Sequence, residues 1–311
     1  MANEILYSGL SDLVVAELLA KELELLLADR ASLRNSPYIV TVGDVSGRGS
    51  STIKQGFAGL DGYDEMAAVT EGSAVANTAL TDGSQTVAVA RQALQYSESD
   101  LANLILPDGS VDVERLAASM VGSAEMRFTS MLCNIIDDFT QTAGVTATDF
   151  SFASFRSAIY QIERANAPTA EMVAVLAPIQ LTDLQGDLVS QVGVVQWMPA
   201  TMEMIQAKGQ GLSGMLLGVE VWKSAKVVTD GADRKGGMWH RGAVLMAEGS
   251  PKPLHTPGLA IFPAGTKVMV EFERDASSAL TKVVGNYYVG VAKNAVSPNE
   301  LLGVTLIGAS T

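Results

Sequence analysis

The sequence predicts an α+β fold, and three observations carry that expectation. One uninterrupted helical stripe occupies the middle of the chain, from Asp112 to Gln141. From about residue 148 to 259, short helical and strand-like runs alternate. The chain then turns to strands: Thr266 to Glu273 alternates apolar and polar residues, and Leu280 to Asn294 can pair with it across Asp275-Ala276-Ser277-Ser278.

The central stretch organises the rest. Leu116, Met120, Ala124, Phe128, Met131, Ile135 and Phe139 recur at spacings of three and four, which places them on one helical face. Ser110 or Asp112 can cap its start, and Thr142 and Gly144 follow its end. At 1.5 Å per residue it would run about 45 Å, long for one globular domain and suited to a spine.

Ahead of it, residues 1 to 36 contain an amphipathic segment with Leu10, Leu13, Val14, Leu18, Leu25 and Leu26 near one face. It can pack on its own chain or on a neighbour. Tyr38 to Val42 reads as a strand. The stretch up to Ser84 is rich in glycine and poor in large apolar residues, and Gln85 to Tyr96 begins as an alternating strand. A loop of that length is functional or disordered, or it is a long hairpin that finds its packing on another subunit. Ser97 to Leu106 reads as a short helix or turn.

After the spine, Phe152, Phe155, Ile159 and Ile162 predict a helix started by Asp149 or Ser151. Met172 to Leu176 is a strand of the buried type. Thr182 with Gln185 has the spacing of a capping box for a further helix. Val192 to Val195 is strand-like, Met202 to Ala207 a short helix, and Met215 to Trp222, Gly242 to Met246 and Leu302 to Ile307 are strands.

Composition narrows the function. The chain has 311 residues, 48% of them hydrophobic and 18% charged, with a formal net charge of -13. Such a surface disfavours tight, charge-driven binding of nucleic acid. Cys133 is the one cysteine, so no intramolecular disulfide forms, which fits a reducing origin. No apolar run reaches the length of a membrane span, and the N-terminus lacks a signal-peptide pattern.

Chemical motifs are sparse. Gly209, Gly211 and Gly214 match G-x-G-x-x-G, but a helix precedes them and a strand follows, the reverse of a dinucleotide fold. Gly47 to Thr52 lacks the lysine of a phosphate loop. His240 and His255 are the two histidines, too few donors for a zinc site. Asp137-Asp138, or Asp61, Asp64 and Glu65, offer hard oxygen ligands, although carboxylates on an acidic chain are ordinarily solvated. Trp197, Trp222 and Trp239 read as packing residues. No nucleophile, base and orienter come together, so the sequence assigns no catalytic, cofactor-binding or metal-ligating residue and requires no cofactor.

The order of elements, arm, long two-stranded excursion, spine helix, α/β region and late strand pair, resembles the major capsid protein of tailed bacteriophages, the Hong Kong 97-type fold. Four passages are similar in text as well as in order. They are Val69 to Gly72 followed by Gln85 to Ile105, Met172 to Pro178, Gly214 to Val221, and Val283 to Val291. The resemblance covers nearly the whole chain. It implies an N-terminal arm at 1–36 and an extended loop with its base at 37–98. It further implies a peripheral domain with the spine helix at 99–147 and strands at 260–300. An axial domain spans 148–259, and the C-terminal strand at 301–311 joins it.

The same resemblance implies a structural protein, not an enzyme, that assembles with itself as pentamers and hexamers into an icosahedral shell around double-stranded DNA. The DNA is held by weak, non-specific contact. Scaffolding, portal and decoration proteins are the expected partners, with no membrane involved, and the expected place is the virion, after assembly in the host cytoplasm. No long segment precedes the arm, so scaffolding is expected to be separate or already cleaved. Some phages of this fold join subunits through lysine-asparagine bonds. Lys54, Asn286, Asn294, Asn299 and Glu300 are the residues to inspect for that. Two other readings stay open. One is an encapsulin-like compartment for protein cargo, and the other a dinucleotide-dependent enzyme using Gly209 to Gly214.

Overall fold

The computed structural model describes residues 33, 38–58, 68–75, 82–99, 113–165, 171–190, 197–208, 211–250, 260–261, 268–296 and 299–309. The elements, in chain order, begin with β1 (Val40–Asp44), β2 (Thr52–Ala58), β3 (Asp82–Ala88), β4 (Ala90–Ser99), α1 (Val113–Asp137) and β5 (Gln141–Ala143). There follow α2 (Phe152–Arg164), β6 (Met172–Leu176), α3 (Pro178–Ser190), β7 (Trp197–Pro199), α4 (Met202–Lys208), β8 (Leu212–Leu216) and β9 (Val219–Lys223). The chain continues with β10 (Val228–Asp230), β11 (Asp233–His240), β12 (Val244–Gly249), β13 (Ala260–Ile261), β14 (Val268–Asp275) and β15 (Leu280–Lys293). A 3₁₀ turn, Asn299–Leu302, then leads into β16 (Gly303–Ala309).

Two larger sheets share α1. In the six-stranded sheet the order is β1-β12-β15-β14-β13, with β4 also paired to β15. The eight-stranded sheet runs β5-β16-β11-β6-β9-β8-β7, with β10 beside β11. Glycines on both sheets make room for the helix. A Cβ on Gly285 of β15 would touch Met120, one on Gly237 of β11 would lie 2.0 Å from Ile136, and one on Gly303 of β16 would lie 2.7 Å from the Phe139 ring. The last two distances are shorter than real Cβ atoms show, so glycine is what lets Ile136, and Phe139 just past the helix end, meet the sheet.

Among the described side chains of α1, the buried ones are Met120, Phe128, Leu132, Cys133 and Ile136, with Met131 and Ile135 half-buried beside them; Leu116 lies outside the described side chains. The buried face is therefore turned from the expected stripe in its second half, where the helix is covered by both sheets. The helix also ends at Asp137, earlier than expected, through tight amide bonds from Asp138 to Ile135 and from Phe139 to Ile136. Gln141, expected to close the helix, instead opens β5, which pairs in parallel with β16.

β6 shows why its sequence is continuously apolar. Val173 and Val175 face α1, whereas Met172, Ala174 and Leu176 face α2 and α3. Both faces of the strand are covered, so no position is free to be polar. The expected helix over α2 stands, capped by Ser151, whose side chain accepts from the Ser154 amide.

Several expectations change. Met215 to Trp222 is two strands, because Leu217 and Gly218 take φ of 52° and 84° and turn the chain back as a hairpin. α3 starts at Pro178, not at Thr182. Proline suits the first helical position, and Gln180 reaches back to accept from the Ala177 amide. β10 and β11 were not expected at all. Ser97 to Ser99 extends β4 instead of starting a turn. β12 lies within the 148–259 span yet pairs with β15 in the six-stranded sheet. The leucine-rich arm falls outside the described residues except Leu33, which is buried. The 192–195 run and Ser110 and Asp112 fall outside them too.

Candidate interaction surfaces

β2 and β3 form a two-stranded sheet of their own. Its base is anchored at home: Ile53 and Val87 are buried against Leu245 and Ala247 of β12, with Val40, Val42 and Val89 beside them. Ile53 is thus packed by its own chain, whereas a hairpin packed on another subunit was among the expectations. Between the two strands in sequence, residues 68–75 are exposed throughout.

The side chains that could carry chemistry are committed elsewhere. Asn286 is fully buried; it accepts from Arg91 Nε at 2.7 Å and donates to Glu271 at 2.6 Å. Asn294 is buried too, donating to the Gly242 carbonyl and accepting from the Val296 amide. Both amides are engaged within their own chain. Asn299 and Glu300 are half-buried and, with Lys293, line a cavity of about 90 Å³, while Lys54 is exposed on β2. These residues are not brought together.

Asp137 does not stand free to bind a cation. Lys235 bridges it at 2.9 Å and Asp230 at 2.7 Å, tying the end of α1 to β10 and β11. Hydrogen bonds to Asp230 and Asp137 push the lysine up to about 12. His240 is mostly buried, 3.8 Å from Glu171. His255, Asp61, Asp64 and Glu65 lie outside the described residues, and no cluster of three metal-type donors occurs among those described. Burial, opposed by a hydrogen bond to Ser224, pushes the Cys133 thiol up to about 12. Burial also raises the Tyr38 phenol, helped by its hydrogen bond to Glu220 and by the charges of Glu220 and Glu171. Lys208 pairs with that same Glu220. Trp239 is buried and donates to the Tyr38 carbonyl at 3.1 Å, and Trp222 is buried, so both are packing residues; Trp197 is half-buried.

The glycine turn ahead of β8 has α4 before it and a strand after it. Gly209 lies outside the described residues, and the order helix then strand is the reverse of the strand then helix that holds a pyrophosphate. A cavity of about 240 Å³ lies between α1 and the β4–β15 pair, floored by Met120, Ala124 and Tyr287 and rimmed by Gln92 and Arg127. Arg127 donates to Gln92 there at 2.8 Å. No helix among the described residues is long and apolar enough to cross a membrane.

The sequence reading missed the bridge at Lys235 and an exposed apolar edge at Met198, Met202 and Leu217. A shortage of charge between residues 197 and 218 was the available signal for the second.

No protein-family model matches the chain, and no curated protein does. Solved structures do. The capsid of Ralstonia phage GP4 is similar over 91% of this chain and 90% of its own, with a TM-score of 0.65 at 11% identity. The capsid of cyanophage P-SCSP1u matches over 91% and 89%, with a TM-score of 0.56 at 12% identity. A holo-SrpI encapsulin complex from Synechococcus elongatus PCC 7942 matches over 86% and 84%, with a TM-score of 0.58 at 9% identity.

Proposed function

We propose that this chain, which has the Hong Kong 97-type capsid fold, is the major capsid protein of a tailed bacteriophage. It assembles with copies of itself, as pentamers and hexamers, into an icosahedral shell that encloses double-stranded DNA. The observation that carries this reading is architectural: the fold is similar to those of solved phage capsids over about nine-tenths of both chains. The commitment of Asn286, Asn294, Asp137 and Lys235 to internal contacts supports a structural role instead of catalysis. A shell subunit needs self-complementary surfaces, not a cleft.

In this reading the N-terminal arm is 1–36 and the extended loop with its base 37–98. The peripheral domain comprises 99–147 and 260–300, with β12 added to them. The axial domain comprises the remainder of 148–259 and the C-terminal strand. The pairing of β12 with β15 supports counting that strand as peripheral. Scaffolding, portal and decoration proteins are the partners, the DNA contacts are weak for so acidic a chain, and the place is the virion after assembly in the host cytoplasm.

The test is assembly of the purified chain, followed by size-exclusion chromatography and electron microscopy. Closed particles are expected, and only monomers or dimers under every condition would refute the reading. The encapsulin likeness favours a second reading, a compartment for protein cargo. Particles from the native source decide between them: nuclease-protected double-stranded DNA fits a capsid, and a co-purifying enzyme without DNA fits a compartment.

A further inference from the structure

The first half of the spine helix crosses the six-stranded sheet over a gap. Met120, Ser123, Ala124 and Arg127 lie on one stripe of α1. All four line the cavity of about 240 Å³ above β4 and β15. Two polar ties hold the helix over β4. The Tyr96 hydroxyl is hydrogen-bonded to Ser119, and Arg127 Nε donates to Gln92 at 2.8 Å. At 1.5 Å per residue these ties stand about 12 Å apart along the helix. Between them, β4 and β15 offer the cross-strand pair Leu94 and Gly285.

Gly285 keeps the gap open, and neither sterics nor backbone requires a glycine there. A Cβ on it would rest 3.4 Å from Met120, an ordinary contact, and its φ is not left-handed. Glycine inside a strand weakens it and often marks a place where a ligand or another backbone comes close. Protein interiors otherwise close such voids. An apolar cavity of about 150 Å³ already takes benzene, and drug-sized ligands occupy about 300 Å³ or more, so this one suits a small molecule.

The lining states the chemistry. Met120, Leu94, Val268 and the Tyr287 ring are apolar, and the Tyr287 hydroxyl is already donated to Glu248 at 2.8 Å. Arg127 is exposed at the mouth, beside β4, an edge strand among the described ones. Gln92 engages its Nε, and the terminal N–H groups of a guanidinium match the two oxygens of a carboxylate. An aliphatic ammonium would meet the same group with like charge. We propose that this cavity binds a short aliphatic carboxylate, its chain against Met120, Leu94 and Val268 and its carboxylate on Arg127. The site lies within one chain, so it goes beyond the shell reading and does not depend on it.

Octanoate is the probe, and two measurements test the site. Isothermal titration compares octanoate with octylammonium on the purified chain and on Arg127→Gln. Wild type is expected to bind octanoate saturably, at least about tenfold more tightly than octylammonium, and Arg127→Gln to lose that preference. No saturable binding of octanoate, equal binding of the two probes by wild type, or a preference that survives in Arg127→Gln overturns the proposal. The second measurement reads the place and needs no change to the cavity wall. In a chain isotopically labelled at the methionine methyl groups, octanoate should shift the Met120 resonance. That resonance is identified by its absence from Met120→Leu, a swap of similar volume. An unmoved Met120 methyl in a chain that binds octanoate places the ligand elsewhere and overturns the assignment.

Discussion

Ile136 and Gly237 decide how closely the spine helix approaches the eight-stranded sheet. A Cβ on Gly237 would lie 2.0 Å from Ile136, so Gly237→Ala should cost about 1–3 kcal/mol through overpacking. Ile136→Ala in the same chain frees that space, and the double variant should be more stable than the two losses summed. Urea denaturation of the four chains measures this, and simple additivity would mean that the two residues do not meet. Phe128, 1% exposed on the same helix, should not tolerate Phe128→Asp. Truncation of a buried phenylalanine alone costs about 3–5 kcal/mol, and an unpaired carboxylate adds to it. Recovery of normal particles from that variant would contradict the burial. Cys133, buried and pushed up to about 12, should react with a thiol reagent only after unfolding. Rapid labelling of the native chain would show that the helix face opens.

At the scale of elements, the turn between β14 and β15 gives the clearest pH dependence. Asp275 accepts from Ser277 through both amide and hydroxyl, and Lys282 and the Ser278 amide also bond to it. These bonds, those of Ser277 foremost, hold its carboxyl well below the ordinary range. A depressed folded value means that the stabilisation is present above the unfolded value of about 4 and is lost as pH falls toward the folded one. Asp275→Asn should therefore melt below wild type at neutral pH, with the gap narrowing as the solution is acidified below about pH 4. A gap that stays constant with pH would show that the turn does not use the charge.

The whole molecule is expected to change at the loop that runs beyond β2 and β3. Its base is packed on β12 by Ile53 and Val87, whereas residues 68–75 are exposed. In a shell those exposed residues would lie on a neighbour. Limited proteolysis should cut free subunits within 68–75 and leave assembled particles intact there. Equal cutting in both forms would remove the extended-loop assignment, whatever became of the rest of the fold.

Local period was enough to place the spine helix, α2, the doubly covered β6 and the alternating β14, because each writes its own burial pattern into neighbouring residues, while the choice of Ser151 over Asp149 as the cap of α2 came from the structure. It could not place β11. Asp233-Arg234-Lys235-Gly236-Gly237 shows no apolar alternation, yet it is the first part of a strand flanked by β6 and β16. Gly237 is there to admit Ile136, and Lys235 to bridge Asp137 and Asp230. The hairpin at Leu217 was hidden in the same way, since a leucine gives no sign of positive φ. The candidate surface was partly legible: a run almost without charge marked residues 197 to 218, but only the sheet order put Met198 and Leu217 at an edge. The sequence by itself determined which faces are apolar and, from the order of elements, the class of fold. The tertiary structure decided what each face meets, because helix and sheet fit by shape at contacts whose two halves lie about a hundred residues apart in the chain, as Ile136 and Gly237 do.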